Sequence, residues 1–166
     1  MEKVLLETER CSLRQFELSD AEALYQLNLD PEVMQFTGDV PFASVDEARD
    51  FVKNYDAYEK TSFGRWAVVR KSDKAFLGWC GLKQHAEYVD LGFRFSKKYW
   101  GNGYASESAQ GALLLAKDKF ALKELIGRCA KQNLASIRVL EKLGFQYWKH
   151  AACEGITESL YYRLPL

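Results

Sequence analysis

Two short stretches hold residues whose types and spacing could do chemistry. The first reads Val89-Asp90-Leu91-Gly92-Phe93-Arg94-Phe95 and continues Ser96-Lys97-Lys98-Tyr99-Trp100-Gly101-Asn102-Gly103-Tyr104-Ala105-Ser106-Glu107. Val89, Leu91, Phe93 and Phe95 alternate with Asp90, Gly92 and Arg94, the period-2 pattern of a strand. A turn with two glycines then delivers a helix that starts near Tyr104. The first turn of a helix carries amide N–H groups without intrahelical partners, and the dipole adds about half a positive charge there. Gly101 and Gly103 lack Cβ, so a phosphate oxygen can approach the backbone. The second stretch runs from Asn133 to Phe145. Asn133 and Ser136 share the first turn of one helix, next to the strand before it. Asp90 offers a carboxylate on the strand face of Gly92 and Arg94, either as a proton acceptor or as an ion-pair partner of Arg94.

The glycine turn fits two nucleotide motifs poorly. The dinucleotide fingerprint places a third glycine or alanine where Ser106 stands, and an acidic residue about twenty positions on after a second strand. Residues 120–123 are a helix tail with no such strand before them. The Gly-Lys-Ser/Thr of nucleotide hydrolases does not occur. Lys98-Tyr99-Trp100-Gly101-Asn102-Gly103 instead resembles the pyrophosphate loop of the GCN5-related N-acetyltransferases, which bind acetyl-CoA. The 133–145 stretch resembles that family's Asn-x-x-Ser/Ala-x-x-(apolar)-x-x-Lys-x-Gly-Phe segment. Glu7-Thr8-Glu9-Arg10-Cys11-Ser12-Leu13-Arg14 resembles the opening of its RimJ/RimL branch, which extends the likeness to nearly the whole chain.

The resemblance implies one α/β (α+β) domain over residues 1–166, with a central mixed, mostly antiparallel sheet of about seven strands flanked by about four helices. It implies transfer of an acetyl group from acetyl-CoA, without a metal, to a primary amine in a ternary complex. The coenzyme is then expected against Lys98, Tyr99, Trp100, Gly101, Asn102 and Gly103, and against Tyr104, Ala105 and Ser106 at the helix start. Its pantetheine arm is expected between two central strands, beside Phe93, Arg94, Phe95, Asn133 and Ser136. A main-chain N–H of the 93–95 stretch could hold the acetyl carbonyl oxygen. Many members protonate the departing thiolate with a tyrosine, and Leu140 stands at that position. In RimL-like members the serine matching Ser136 is the proposed donor. A hydroxyl's pKa is far too high for a free acid, so Ser136 suits a hydrogen bond to the sulfur. Asp90 matches an acidic position of the branch and is the expected base, with Glu87 second. Phe36, Trp66, Trp79 and Gln84 are candidates for the acceptor pocket. The missing tyrosine leaves a second reading, a non-catalytic acyl-CoA-binding sensor on the same fold. A nucleotide-binding module using the glycine turn is a third.

Proton chemistry bears on the acceptor. An α-amine of pKa about 7.8 is roughly 14% neutral at pH 7, against roughly 0.04% for a lysine of about 10.4. Deprotonation costs about 1 kcal/mol for the first and about 4.6 for the second. A carboxylate acting through water is adequate for the first, which favours a protein N-terminal α-amine or a small amine over lysine.

The elements that must position these residues follow from periodicity. Residues 4–16 suggest a first strand. Ser19-Asp20-Ala21-Glu22 and Ser44-Val45-Asp46-Glu47 are capping boxes opening helices, the second reaching about Lys60. Arg65–Arg70 and Ala75–Leu82 form a hairpin, followed by the strand at 87–95. Ala105, Ala109, Ala112 and Ala116 make a small-residue stripe on a helix running to about Phe120, which lets it lie close to a sheet. A strand at 124–130, a helix at 134–143 closed by Gly144, and a hairpin around Glu154-Gly155 complete the chain.

The chain has 166 residues, of which 48% are hydrophobic and 28% charged, in the range of one globular domain. With 23 basic and 23 acidic residues the net charge is zero, which argues against broad binding to nucleic acid or an anionic membrane. Cys11, Cys80, Cys129 and Cys153 lack metal or redox spacing and read as reduced thiols of a cytoplasmic protein. His85 and His150 are isolated and read as non-catalytic. A monomer or homodimer is expected.

Overall fold

The computed structural model describes residues 4–153 and 155–166. Glu154 of the expected hairpin turn, and residues 1–3 of the expected domain, lie outside the described residues. The expected first strand over 4–16 is a hairpin of two, β1 (Val4–Glu7) and β2 (Cys11–Arg14). The chain turns back because Glu107 captures the turn: its carboxylate accepts from the Arg10 main-chain N–H at 2.9 Å and from Arg10 Nε at 2.7 Å. The strands β3 (Arg65–Arg70), β4 (Phe76–Gln84), β5 (Val89–Phe95), β6 (Glu124–Ala130), β7 (Gln146–Cys153) and β8 (Ile156–Pro165) complete the sheet. Among the described residues it has eight strands rather than about seven, in the order β1-β2-β3-β4-β5-β6-β8-β7. Among the described residues, only β5 and β6 pair in parallel.

Helices α1 (Ala21–Leu29), α2 (Pro31–Met34), α3 (Val45–Lys53) and α4 (Ala57–Thr61) precede β3. Ser44 caps α3 as expected, its hydroxyl accepting from Glu47 N–H. That helix ends at Lys53 instead of continuing to Lys60. The box expected at Ser19 is displaced: Asp20 accepts from Glu17 N–H at 2.8 Å and holds Arg14 through two bonds of 2.8 Å. This buried bidentate pair, not the serine, fixes the entry to α1.

α5 (Tyr104–Leu114) loosens into a π-helical turn over Leu115–Lys119 before Phe120. Ala109, Ala112 and Ala116 of its stripe are fully buried. α6 (Leu134–Lys142) follows β6 and packs Leu140 on Gly127.

Register divides the sheet into two faces. Arg65 pairs with Gly81, Ala67 with Trp79, and Trp79 with Arg94, so these side chains share a face with Asp90 and Gly92. Asn28 of α1 bonds Arg94 on this side at 3.0 Å. The other face carries Trp66, Leu82 and Leu91 against the α5 side, where Phe120 stacks on Trp66 at 6.2 Å.

Candidate active site

Gly101 and Gly103 have φ of 78° and 81°, a left-handed backbone that favours glycine. These two residues turn the chain so that α5 begins facing the end of β5. The first intrahelical bond of α5 runs from Glu107 N–H to Gly103 O at 3.0 Å. The amides of Gly101 through Ser106 therefore have no acceptor among the described residues. A Cβ on Gly101 would meet nothing within 4 Å. This row of bare donors at a helix N-terminus suits a diphosphate. Lys98 lies to the side, its ammonium 5.1 Å over the Tyr99 ring.

β5 and β6 touch through one pairing, Asp90 with Ile126, and part beyond it. A cleft of about 970 Å³ passes through the opening. Gly103, Ser106, Ser136, Phe36, Trp79 and Arg94 all border it. Asn133 Oδ1 accepts from Ser136 N–H at 3.3 Å and so caps α6. The Ser136 hydroxyl has no hydrogen-bond partner among the described residues, which leaves it to the cleft.

Of the residues expected to hold the coenzyme, all but Lys98 and Asn102 border the cleft. The side chain of Asn102 turns back onto the carbonyls of Tyr99 and Trp100 at 3.0 and 3.1 Å. Phe95 O is taken by the Trp100 indole at 2.8 Å. Two of the four acceptor-pocket candidates are corrected. Trp66 pairs with Cys80, one register step from Trp79, so it must point into the opposite face, where it is fully buried. Gln84 has the same parity and is exposed, donating to the carbonyls of His85 and Tyr88 at 2.7 and 3.2 Å.

Asp90 is buried between two arginines and a histidine. Its carboxylate lies 2.7 Å from Arg65, 3.2 Å from Arg128 and 2.6 Å from His85 Nε2. Arg94, the partner considered from sequence, pairs with Asp39 at 2.6 Å instead. Burial alone would push the Asp90 carboxyl up, but the Arg65 and Arg128 charges and the His85 hydrogen bond outweigh it. They hold it well below the usual carboxylate range. A carboxylate so stabilised takes a proton reluctantly, which argues against the base role expected for it. Glu87 is exposed and does not border the cleft.

Sequence reading passed over Arg65 and Arg128 and took His85 as isolated, whereas its ring bonds Asp90 and stacks on Tyr88. Arg65 opens an otherwise buried strand. Gly92 lets it lie flat on β5, since a Cβ there would come within 2.9 Å of the guanidinium. A charged residue facing a glycine across a sheet was the available signal. Burial raises the Cys129 thiol, which also borders the cleft, to about 12.

Comparison with known proteins agrees with this geometry. Residues 10–146 match the model of the acetyltransferase (GNAT) domain. The uncharacterized N-acetyltransferase p20 of Bacillus licheniformis is 31% identical over 145 residues, covering 85% of this chain and 82% of its own. A GNAT-family acetyltransferase of Bacillus anthracis superposes with a TM-score of 0.83 at 27% identity, over 99% of this chain and 98% of that one. RimL, a ribosomal L7/L12 α-N-protein acetyltransferase solved with coenzyme A, has the same fold, with a TM-score of 0.84 at 18% identity over 99% and 98% of the two chains. With most of its length matched by the family model, the chain belongs to the GNAT family of acetyl-CoA-dependent N-acetyltransferases.

Proposed function

We propose that this acyltransferase acetylates a primary amine, on a small molecule or a protein N-terminus, in a ternary complex. The observation that carries this reading is the row of acceptor-less amides from Gly101 to Ser106, set where β5 and β6 part. Those amides take the diphosphate, and the separated strands take the pantetheine arm beside Asn133 and Ser136. Acetyl-CoA, when bound, would supply a thioester whose acetyl group passes to the neutral amine, a C–N bond replacing the C–S bond and the amine's proton passing through water to the thiolate. A main-chain N–H of residues 93–95 steadies the carbonyl oxygen. Ser136 donates a hydrogen bond toward the sulfur. Asp90 anchors Arg65 and Arg128 rather than abstracting the proton. Phe36 and Trp79 flank the acceptor.

The test is incubation with acetyl-CoA and a panel of amines and peptide N-termini, with thiol release followed alongside calorimetric binding of CoA. Thiol release coupled to amine acetylation is expected. Binding of CoA with no turnover on any amine would favour a sensor. Preference for ATP or NAD over CoA would favour a nucleotide module.

A further inference from the structure

Over the residues that border the cleft the charges balance, Glu32, Asp39, Asp56 and Asp90 against Arg65, Lys83, Arg94 and Arg128, but they are unevenly placed. Three carboxylates at the mouth each have a cation of their own: Glu32 with Lys97 at 2.5 Å, Asp39 with Arg94 at 2.6 Å, and Asp56 with Lys60 at 2.7 Å. Deeper in, Asp90 alone faces both Arg65 and Arg128. Lys83, which also borders the cleft, forms no ion pair among the described residues. Arg65 spends Nη1 on Gly81 O at 2.9 Å and on Asp90, which leaves Nε and Nη2 without a hydrogen-bond acceptor among the described residues. Its guanidinium is held flat between Gly92 and the Trp79 ring, 5.1 Å from the ring centre. Its side chain is 16% exposed and borders the cleft, so a ligand there can reach these donors. Such a fixed planar fork matches a carboxylate.

The same end is roofed. Thr37, Asp39 and Val40 border the cleft from one side, and Cys153 and Ile156 from the other. The two segments meet at Gly38 and Gly155, where a Cβ on Gly155 would lie 2.3 Å from Gly38 O. An acceptor therefore enters beneath a bridge between these two segments rather than along a fully open groove.

Resting on the acetyl-transfer reading, we infer that the acceptor is a small primary amine that carries a carboxylate, bound by Arg65 and Arg128 with its chain against Trp79. The two deep arginines, matched by the single carboxylate of Asp90, attract such a molecule and disfavour a polyamine, whose ammonium groups find the mouth carboxylates already paired. It also turns away a long peptide, which the Gly38–Gly155 contact blocks.

The experiment compares acceptors on the unaltered protein, so folding does not enter. Free amino acids, their primary amides, the corresponding decarboxylated amines, spermidine and short peptides are assayed with acetyl-CoA. Each is also titrated calorimetrically into the CoA-loaded protein. The acids are expected to exceed their amides by about 10- to 100-fold in kcat/KM or affinity, the range of a charge-assisted pair. Arg65→Gln should reduce that ratio to near one, and Arg65→Lys, which keeps the charge and tests the fork, should leave it in between. Equal or better use of amides, spermidine or peptides would overturn the inference while leaving acetyl transfer intact. So would CoA binding with none of the acids bound or acetylated. Absence of CoA binding would remove the acetyl-transfer reading itself. Carboxylate titrations without coenzyme then decide the arginine pocket separately, with no binding refuting it.

Discussion

At the α5 end of the cleft the groups turned toward a ligand are main-chain amides. At the α1–α4 end they are guanidinium groups. The first end consists of consecutive residues, Gly101 to Ser106, whose geometry follows from two left-handed glycines and a helix start. The second draws Arg65 from β3, Asp90 from β5 and Arg128 from β6, which meet only when the sheet is assembled. A main-chain site tolerates change in most of its side chains and depends on backbone shape. A side-chain site depends on each charge, because every buried member is balanced by the others.

Asp90→Asn tests that difference most strongly. It leaves two half-buried guanidiniums facing each other over a neutral amide. Removing one member of a buried charged group costs about 3–5 kcal/mol, and the Asp90 side chain is only 3% exposed, so solvent screens little of this. A chemical melt at pH 7 should show a loss of that size. The sign with pH is fixed by the lowered carboxyl. Its stabilisation is fully present above the unfolded value of about 3.9 and fades as pH falls below it toward the folded value. The gap between wild type and variant should therefore narrow progressively below about pH 4. The acid limb of the rate profile should sit at the same pH in both proteins. If it disappears in the variant, Asp90 is the base after all, and the side-chain cluster is catalytic rather than supportive.

The two ends also differ in how legible they were. The glycine pair, the capping asparagine at 133 and the alanine stripe announce local shape, and local shape is what short spacing encodes. Alternation within β5 correctly placed Asp90, Gly92 and Arg94 on one face. It gave no cross-strand register, so Trp66 and Trp79 were grouped together although adjacent pairings turn them to opposite faces. The partners of Asp90 come from positions 65 and 128, and no period links those to 90. The extra strand at the N-terminus was hidden for the same reason, because Glu107 in a distant helix holds the turn.

Gly103→Val tests the main-chain end. A β-branched residue at φ 81° carries about 1–3 kcal/mol of strain, and relieving it shifts the amides that follow. Loss of one or two hydrogen bonds to a charged phosphate should weaken CoA binding by about 100-fold in calorimetry, with carboxylate binding at the arginine end little changed. Unchanged CoA affinity in a folded variant would falsify the loop assignment. Equal loss at both ends would mean that the cleft responds as one body.

Lys98→Ala should have the smallest effect, and it separates charge from geometry within one loop. Lys98 is the basic residue of the motif, yet it is exposed, lies over Tyr99 and does not border the cleft. An exposed ammonium at that distance acts through screened attraction worth about 0.5–1 kcal/mol, or roughly two- to fivefold in CoA affinity at low salt. Near 1 M salt the screening length falls to about 3 Å, and the difference from wild type should vanish. The contribution of the amides should survive, because their bonds form at contact distance. A loss above tenfold that persists in high salt would show Lys98 touching the phosphate directly, which requires the loop to close around the ligand. Recognition at the α5 end would then depend on a side chain as well, and the contrast between the two ends would be one of degree.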